Sequence, residues 1–114
     1  MKKRMLVTGT GGFIGRNMAE YFANRGDYEV FGTYHTKKPN VMDRINLVEC
    51  DLQYSDQARV ALKGMDIVIH AAAVSSGSKD ITSKPFMHVT PNGIMNMILL
   101  EAAHELGVRQ VIFL

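Results

Sequence analysis

Thr8 to Gly15 reads TGTGGFIG, four glycines in eight residues directly after the short apolar run Met5–Val7. Glycine loses the most backbone freedom on folding and offers no side chain to pack, so such a cluster has to serve something that needs bare backbone. Beyond it, Ile14, Met18 and Phe22 recur every four residues, the spacing of one inward helix face. The unit is strand, glycine turn, helix. In that context the first glycine allows a tight turn, the second lets the backbone approach a pyrophosphate, and the third lets helix and strand pack closely. Gly9, Gly12 and Gly15 hold those positions, and the free N–H groups at the helix start, from Phe13 and Ile14 onward, face a dinucleotide's phosphates.

The rest of the chain repeats the alternation. Arg25-Gly26-Asp27 ends the first helix, and Glu29–Tyr34 is apolar and β-branched enough for a second strand. Ile45–Cys50 reads as a third strand, and Ser55 with Asp56 opens a short helix that carries Ala58, Ala61 and Leu62 inward until Gly64. Asp66–Ala73 is the fourth strand, followed by a polar loop with Ser75, Ser76 and Ser78. A long helix is expected to begin with Thr90 as N-cap and Pro91 in the first helical position. Its inward side is assigned to Ile94, Met97, Ile98, Leu100 and Ala102, with Gly107 stopping it before the fifth strand, Arg109–Leu114. Apolar strands separated by helices imply a parallel sheet covered on both faces. The fold class is therefore α/β, a doubly wound Rossmann-type sheet of about five strands.

The 114 residues are enough for one domain, residues 1–114, with no second domain or linker in view. Thirteen basic against eleven acidic residues leave a net charge of +2, scattered too evenly to suggest nucleic acid. No apolar run approaches the roughly 18 residues of a membrane span. The single cysteine, Cys50, has no partner for a disulfide, so a reducing compartment, the cytoplasm, is the expected location. Cys50 reads as a packing residue rather than a nucleophile. His35, His70, His88 and His104 show no metal-ligand spacing, and His70 reads as a core histidine bonded to backbone.

The spacing Gly-x-x-Gly-x-x-Gly resembles the extended short-chain dehydrogenase/reductase superfamily, also called the NAD-dependent epimerase/dehydratase family. Further matches follow in the same order: CDL at Cys50–Leu52, VIHAAA at Val68–Ala73, NGIMNMILLEAA at Asn92–Ala103, and GVRQVIFL at the end. The resemblance implies that Asp51 accepts a hydrogen bond from the adenine amino group with Leu52 beside the ring. It implies that Ala71, Ala72 and Ala73 line the floor on the nicotinamide side, and that Asn92 helps to hold a proton-relay water.

NAD-preferring relatives usually end the second strand with an acidic residue that meets the ribose. Tyr34 stands there, followed by His35, Lys37 and Lys38, which suit the extra phosphate of NADP; Arg16 is a further candidate. NADP is accordingly the expected cofactor, with NAD as the alternative. In such relatives a Ser or Thr after strand five and a Tyr-x-x-x-Lys motif complete the site. The sequence stops at Leu114, so the expectation is a fold truncated after strand five, with the substrate-binding part absent and no catalytic residue among these 114. None of Tyr21, Tyr28, Tyr34 and Tyr54 is expected to stand in. The parent protein is expected to be an oxidoreductase, or an isomerase of the epimerase/dehydratase kind, acting on a small molecule, most often a nucleotide sugar in such relatives. The alternative is a non-catalytic module that senses dinucleotide. Met95 and Leu99 on the long helix are the candidates for a homodimer contact.

Overall fold

The computed structural model describes residues 2–40, 43–73 and 86–114. In chain order it contains β1 (Lys3–Thr8), α1 (Phe13–Arg25), β2 (Tyr28–Tyr34), β3 (Ile45–Glu49), α2 (Ser55–Leu62), β4 (Ile67–His70), α3 (Phe86–Glu105) and β5 (Gln110–Phe113). Among the described residues the strands form one parallel sheet in the order β3-β2-β1-β4-β5. The order reverses at β1: the chain runs outward from β1 through β2 to β3, then crosses back to place β4 on the other side of β1. Sheets of this kind bind ligands in the crevice outside the carboxyl ends of the strands at such a reversal.

Alternation along β1 divides the core. Met5 and Val7 point to one face with Val30 and Ile69, where Ala19 and Ala23 of α1 cover them. Leu6 points to the other with Val68, beneath Ala58 and Leu62 of α2 and Leu99 and Ala102 of α3. Both faces being covered accounts for strands that are apolar throughout.

Three expectations about the helices need correction. The face of α1 that meets the sheet is Gly15, Ala19 and Ala23; Met18 and Phe22 flank it, and Ile14 is 56% exposed. Small residues win that stripe because they let the helix axis come close to β1. The long helix starts at Phe86, so Pro91 sits inside it rather than at its first position. Pro91 lacks an N–H, which leaves one carbonyl a turn earlier without its helical partner, but downstream burial holds the element together. The inward side of α3 is Met95, Leu99, Ala102 and Ala103, whereas Met97 is 67% and Leu100 48% exposed. Met95 and Leu99 are core residues, so they are not a surface for a second copy. This helix carries apolar side chains nearly all round, and periodicity alone did not select the buried side.

Gly26 and Gly107 follow α1 and α3 at φ of 82° and 75°, the left-handed conformation that ends helices. No described helix is long and apolar enough to cross a membrane.

Candidate functional site

The four turn glycines are bare for different reasons. A Cβ on Gly15 would stand 2.2 Å from the carbonyl oxygen of Gly9, so α1 packs directly on the turn. A Cβ on Gly9 would stand 2.7 Å from the backbone of Ala72, and Gly9 also has φ 77°. Gly11, to which the sequence reading gave no role, lies under the backbone of Lys37: its Cβ would stand 2.1 Å from that carbonyl oxygen. Gly12 is the exception. Its backbone is ordinary extended chain, φ −95°, and the nearest atom to a Cβ there would be 3.5 Å away. Neither packing nor conformation requires a glycine at that place.

Gly12 is also the N-cap of α1, with no side-chain hydrogen bond to the helix. Ser, Thr, Asp or Asn would normally cap it. The N–H groups of the first helical residues, Phe13, Ile14 and Gly15, have no partner within the helix by construction. Together with the helix dipole they offer donors to an anion in front of Gly12. The side chains of Phe13 and Ile14 stand outward at the mouth.

Buried threonines fasten this turn. The N–H and the hydroxyl of Thr10 both donate to the carbonyl of Thr33, at 2.8 and 2.9 Å, tying the turn to β2. The Thr8 hydroxyl oxygen accepts from the N–H groups of Ala71 and Ala72, each at 3.0 Å. Those bonds take the backbone out of the ladder, which is why β4 ends at His70 and not at Ala73. Ala71 and Ala72 are half-buried and Ala73 exposed. His70 is buried, and it is bonded to the Thr8 and Asn96 side chains rather than to backbone. Burial lowers its affinity for a proton below the ordinary imidazole range, against the opposing effect of the Asn96 bond.

At the other end of the crevice, Asp51 follows β3. Its Oδ1 accepts from the Gln53 N–H at 3.0 Å, closing a turn, while Oδ2 faces His35 Nε2 at 3.4 Å. Leu52 is buried among Ala58, Leu62 and Leu99, so it stiffens the wall from behind. Cys50 is buried too, with its thiol pushed up to about 11 by desolvation first and then by Asp51 and Asp56; it is a packing residue. Asn92 lies on α3 one turn before Asn96 and is half-buried.

The basic segment after β2 is arranged more loosely. Tyr34 ends the strand, and His35 and Lys37 are exposed beyond it. Tyr34 carries a lysine, Lys38, four residues on, the spacing of a Tyr-x-x-x-Lys motif. The two are not stacked as on a helix: β2 ends at Tyr34, and the ammonium of Lys38 lies over the ring face, 5.8 Å from its centre. Among the described residues neither Lys37 nor Lys38 has a carboxylate partner. Arg16 does, pairing with Glu20 at 3.0 Å along α1. Ser75, Ser76 and Ser78 lie outside the described residues.

The turn, the Tyr34–Lys37 segment, Asp51 and Ala71–Ala73 thus lie at the carboxyl ends of β1, β2, β3 and β4 respectively, around the reversal of strand order. A surface hollow of about 480 Å³, bordered by Lys2, Tyr28, Glu29 and Arg44, is lined instead from the strand beginnings. Thr8, Thr10, Thr33 and Asn96 escaped the sequence reading. For Thr8 and Thr33 the signal was a polar residue inside an apolar strand, which must find a partner, but the sequence does not say which.

Comparison with known proteins agrees with this architecture. The 3β-hydroxysteroid dehydrogenase/Δ5→4-isomerase of Monkeypox virus is 29% identical over 112 residues, covering 94% of this chain and 32% of its own length. Uronate dehydrogenase from Agrobacterium tumefaciens superposes with a TM-score of 0.80 at 27% identity, covering 98% of this chain and 40% of that one. UDP-glucose 4-epimerase from Bifidobacterium longum, solved with NAD+ and UDP, gives a TM-score of 0.81 at 25% identity over 97% of this chain and 36% of that one. The chain spans about a third of the length of the curated relatives it matches. The model of the NAD dependent epimerase/dehydratase family matches residues 5–114, and the chain belongs to that family.

Proposed function

We propose that this chain is the dinucleotide-binding part of an enzyme that acts on a nucleotide sugar or a similar polyol, with NADP preferred over NAD. The observation that carries the reading is Gly12, a residue kept bare in front of unpartnered helix N–H groups although the fold leaves room for a side chain. A pyrophosphate there takes the space and the donors together. Asp51 then meets the adenine, Ala71–Ala73 lie under the nicotinamide, and Asn92 holds a water. A bound nicotinamide cofactor supplies hydride transfer, while this chain's own residues bind and orient it.

The NADP preference rests on the absence of an acidic residue at Tyr34 and on Lys37 and Lys38, which have no carboxylate partner among the described residues and can meet a 2′-phosphate. The nucleotide-sugar assignment draws on relatives such as the UDP-bound epimerase, and the cytoplasm is the proposed location on the strength of one buried, reduced cysteine. Titration of the protein with NADH and NADPH, followed by nicotinamide fluorescence, tests the reading. Saturable binding with NADPH the tighter is expected. No binding of either would remove the function, and tighter NADH would remove the preference alone.

A further inference from the structure

The Thr8 hydroxyl, the His70 ring and the Asn96 amide form a polar chain across β1, β4 and α3, buried at Thr8 and His70 and half-buried at Asn96, and counting its protons fixes the state of each group. A threonine hydroxyl has two lone pairs and one proton. The N–H groups of Ala71 and Ala72 occupy both lone pairs, so the hydroxyl proton must go to His70 Nδ1, 2.8 Å away. Nδ1 is therefore a bare acceptor, and a neutral ring carries its proton on Nε2. That proton meets Asn96 Oδ1 at 2.9 Å.

Resting on the cleft assignment above, we infer that His70 and Asn96 are positioning residues for the dinucleotide: Asn96 selects the Nε2-protonated ring, which leaves the Thr8 oxygen free to hold Ala71 and Ala72 under the cleft. The alanine backbone is also what Gly9 packs against, so its position sets that of the glycine turn. A charged ring does not fit. Its Nδ1–H would bring a third donor to an oxygen with two lone pairs and would strand the hydroxyl proton. Among the described residues, the groups that face the ring are Thr8 from β1, Asn96 from α3 and the edge-on Phe113 ring, 5.5 Å away, from β5. None of them is charged or titrates near neutral pH. Burial in these surroundings keeps the ring neutral below the ordinary histidine range, so the clasp persists into mildly acidic solution.

The test combines imidazole nitrogen spectra of the labelled protein with dinucleotide affinity measured across pH. Wild type is expected to show a bare Nδ1 and a protonated Nε2. Asn96→Leu, which removes the acceptor, is expected to weaken dinucleotide binding about tenfold, the scale of one buried hydrogen bond left unmade. Asn96→Asp keeps an acceptor but adds a charge that favours the imidazolium. Its affinity is expected to fall at a higher pH than wild type and to recover on the alkaline side, a shift that a purely structural Asn96 would not cause. A proton on Nδ1 in wild type, or coincident pH profiles for wild type and Asn96→Asp, would overturn the inference. Wild-type protein that binds neither dinucleotide would overturn the cleft assignment, and with it the positioning role, whatever the spectra show.

Discussion

The glycine turn after β1 and the basic segment after β2 border the same crevice, yet they are held in opposite ways. The turn is locked by backbone: Gly9, Gly11 and Gly15 each leave no room for a Cβ, and Thr10 ties the turn to β2 with two bonds to one carbonyl. The segment from Tyr34 to Lys38 touches the turn through the Lys37 backbone over Gly11, but its charged side chains stand exposed, with His35 facing Asp51 and Lys38 over Tyr34. In the first region a one-carbon change is felt by the fold. In the second, a change of charge reaches only what binds there, and salt screens it.

Substitutions can break or sharpen this contrast. Gly15→Ala has the largest expected effect, because its Cβ would overlap the Gly9 carbonyl: a loss of about 3 kcal/mol or more in urea denaturation, at the upper end for overpacking. An unchanged midpoint would mean that the turn is not locked. Gly12→Ala is the counterpart within the same turn. Stability should change by less than about 1 kcal/mol: alanine is a poorer N-cap than glycine, but it suits this backbone and restricts the unfolded chain, which offsets much of that loss. Dinucleotide affinity should nevertheless drop about tenfold or more, as expected when a methyl crowds a well-packed contact. Equal loss of stability and binding would put Gly12 with the other glycines and remove its special standing. The smallest effect belongs to the segment after β2: Lys37→Ala with Lys38→Ala should weaken NADPH about fivefold at low salt, through lost charge-assisted hydrogen bonds. NADH affinity and melting should not move. A parallel loss for both dinucleotides would show that the lysines do not read the 2′-phosphate.

The regions also differ in how far the sequence exposes them. The turn was legible because its demand is local: a tight bend, a helix start and a close strand leave their mark as glycines at fixed spacing. The same locality made β2, β3, α2 and β5 readable to within a residue or so, from short apolar runs bounded by Gly, Asp and Ser. The buried side of α3 was not legible, because Met95 and Leu99 cannot be distinguished from Met97 and Leu100 by residue type along a helix whose apolar residues lie nearly all round it. The start of that helix was misplaced at Pro91 for a related reason. A local rule about proline was weighed without the burial that outweighs one missing hydrogen bond.

The sequence by itself determined the alternation of strands and helices, the parallel sheet, the glycine turn and the family, all of which depend on spacing along the chain. Tertiary structure alone decided that Gly11 sits under Lys37, that Gly12 is the one turn glycine not required by the fold, and that Thr8, His70 and Asn96 share a proton pattern. The hydrogen-bonded partners lie 62 and 26 residues apart: the register of β1 on β4 sets Thr8 beside His70, and the packing of α3 on the sheet brings Asn96 to the ring. A hydrogen bond acts over about 3 Å of space and leaves no periodic trace along a chain.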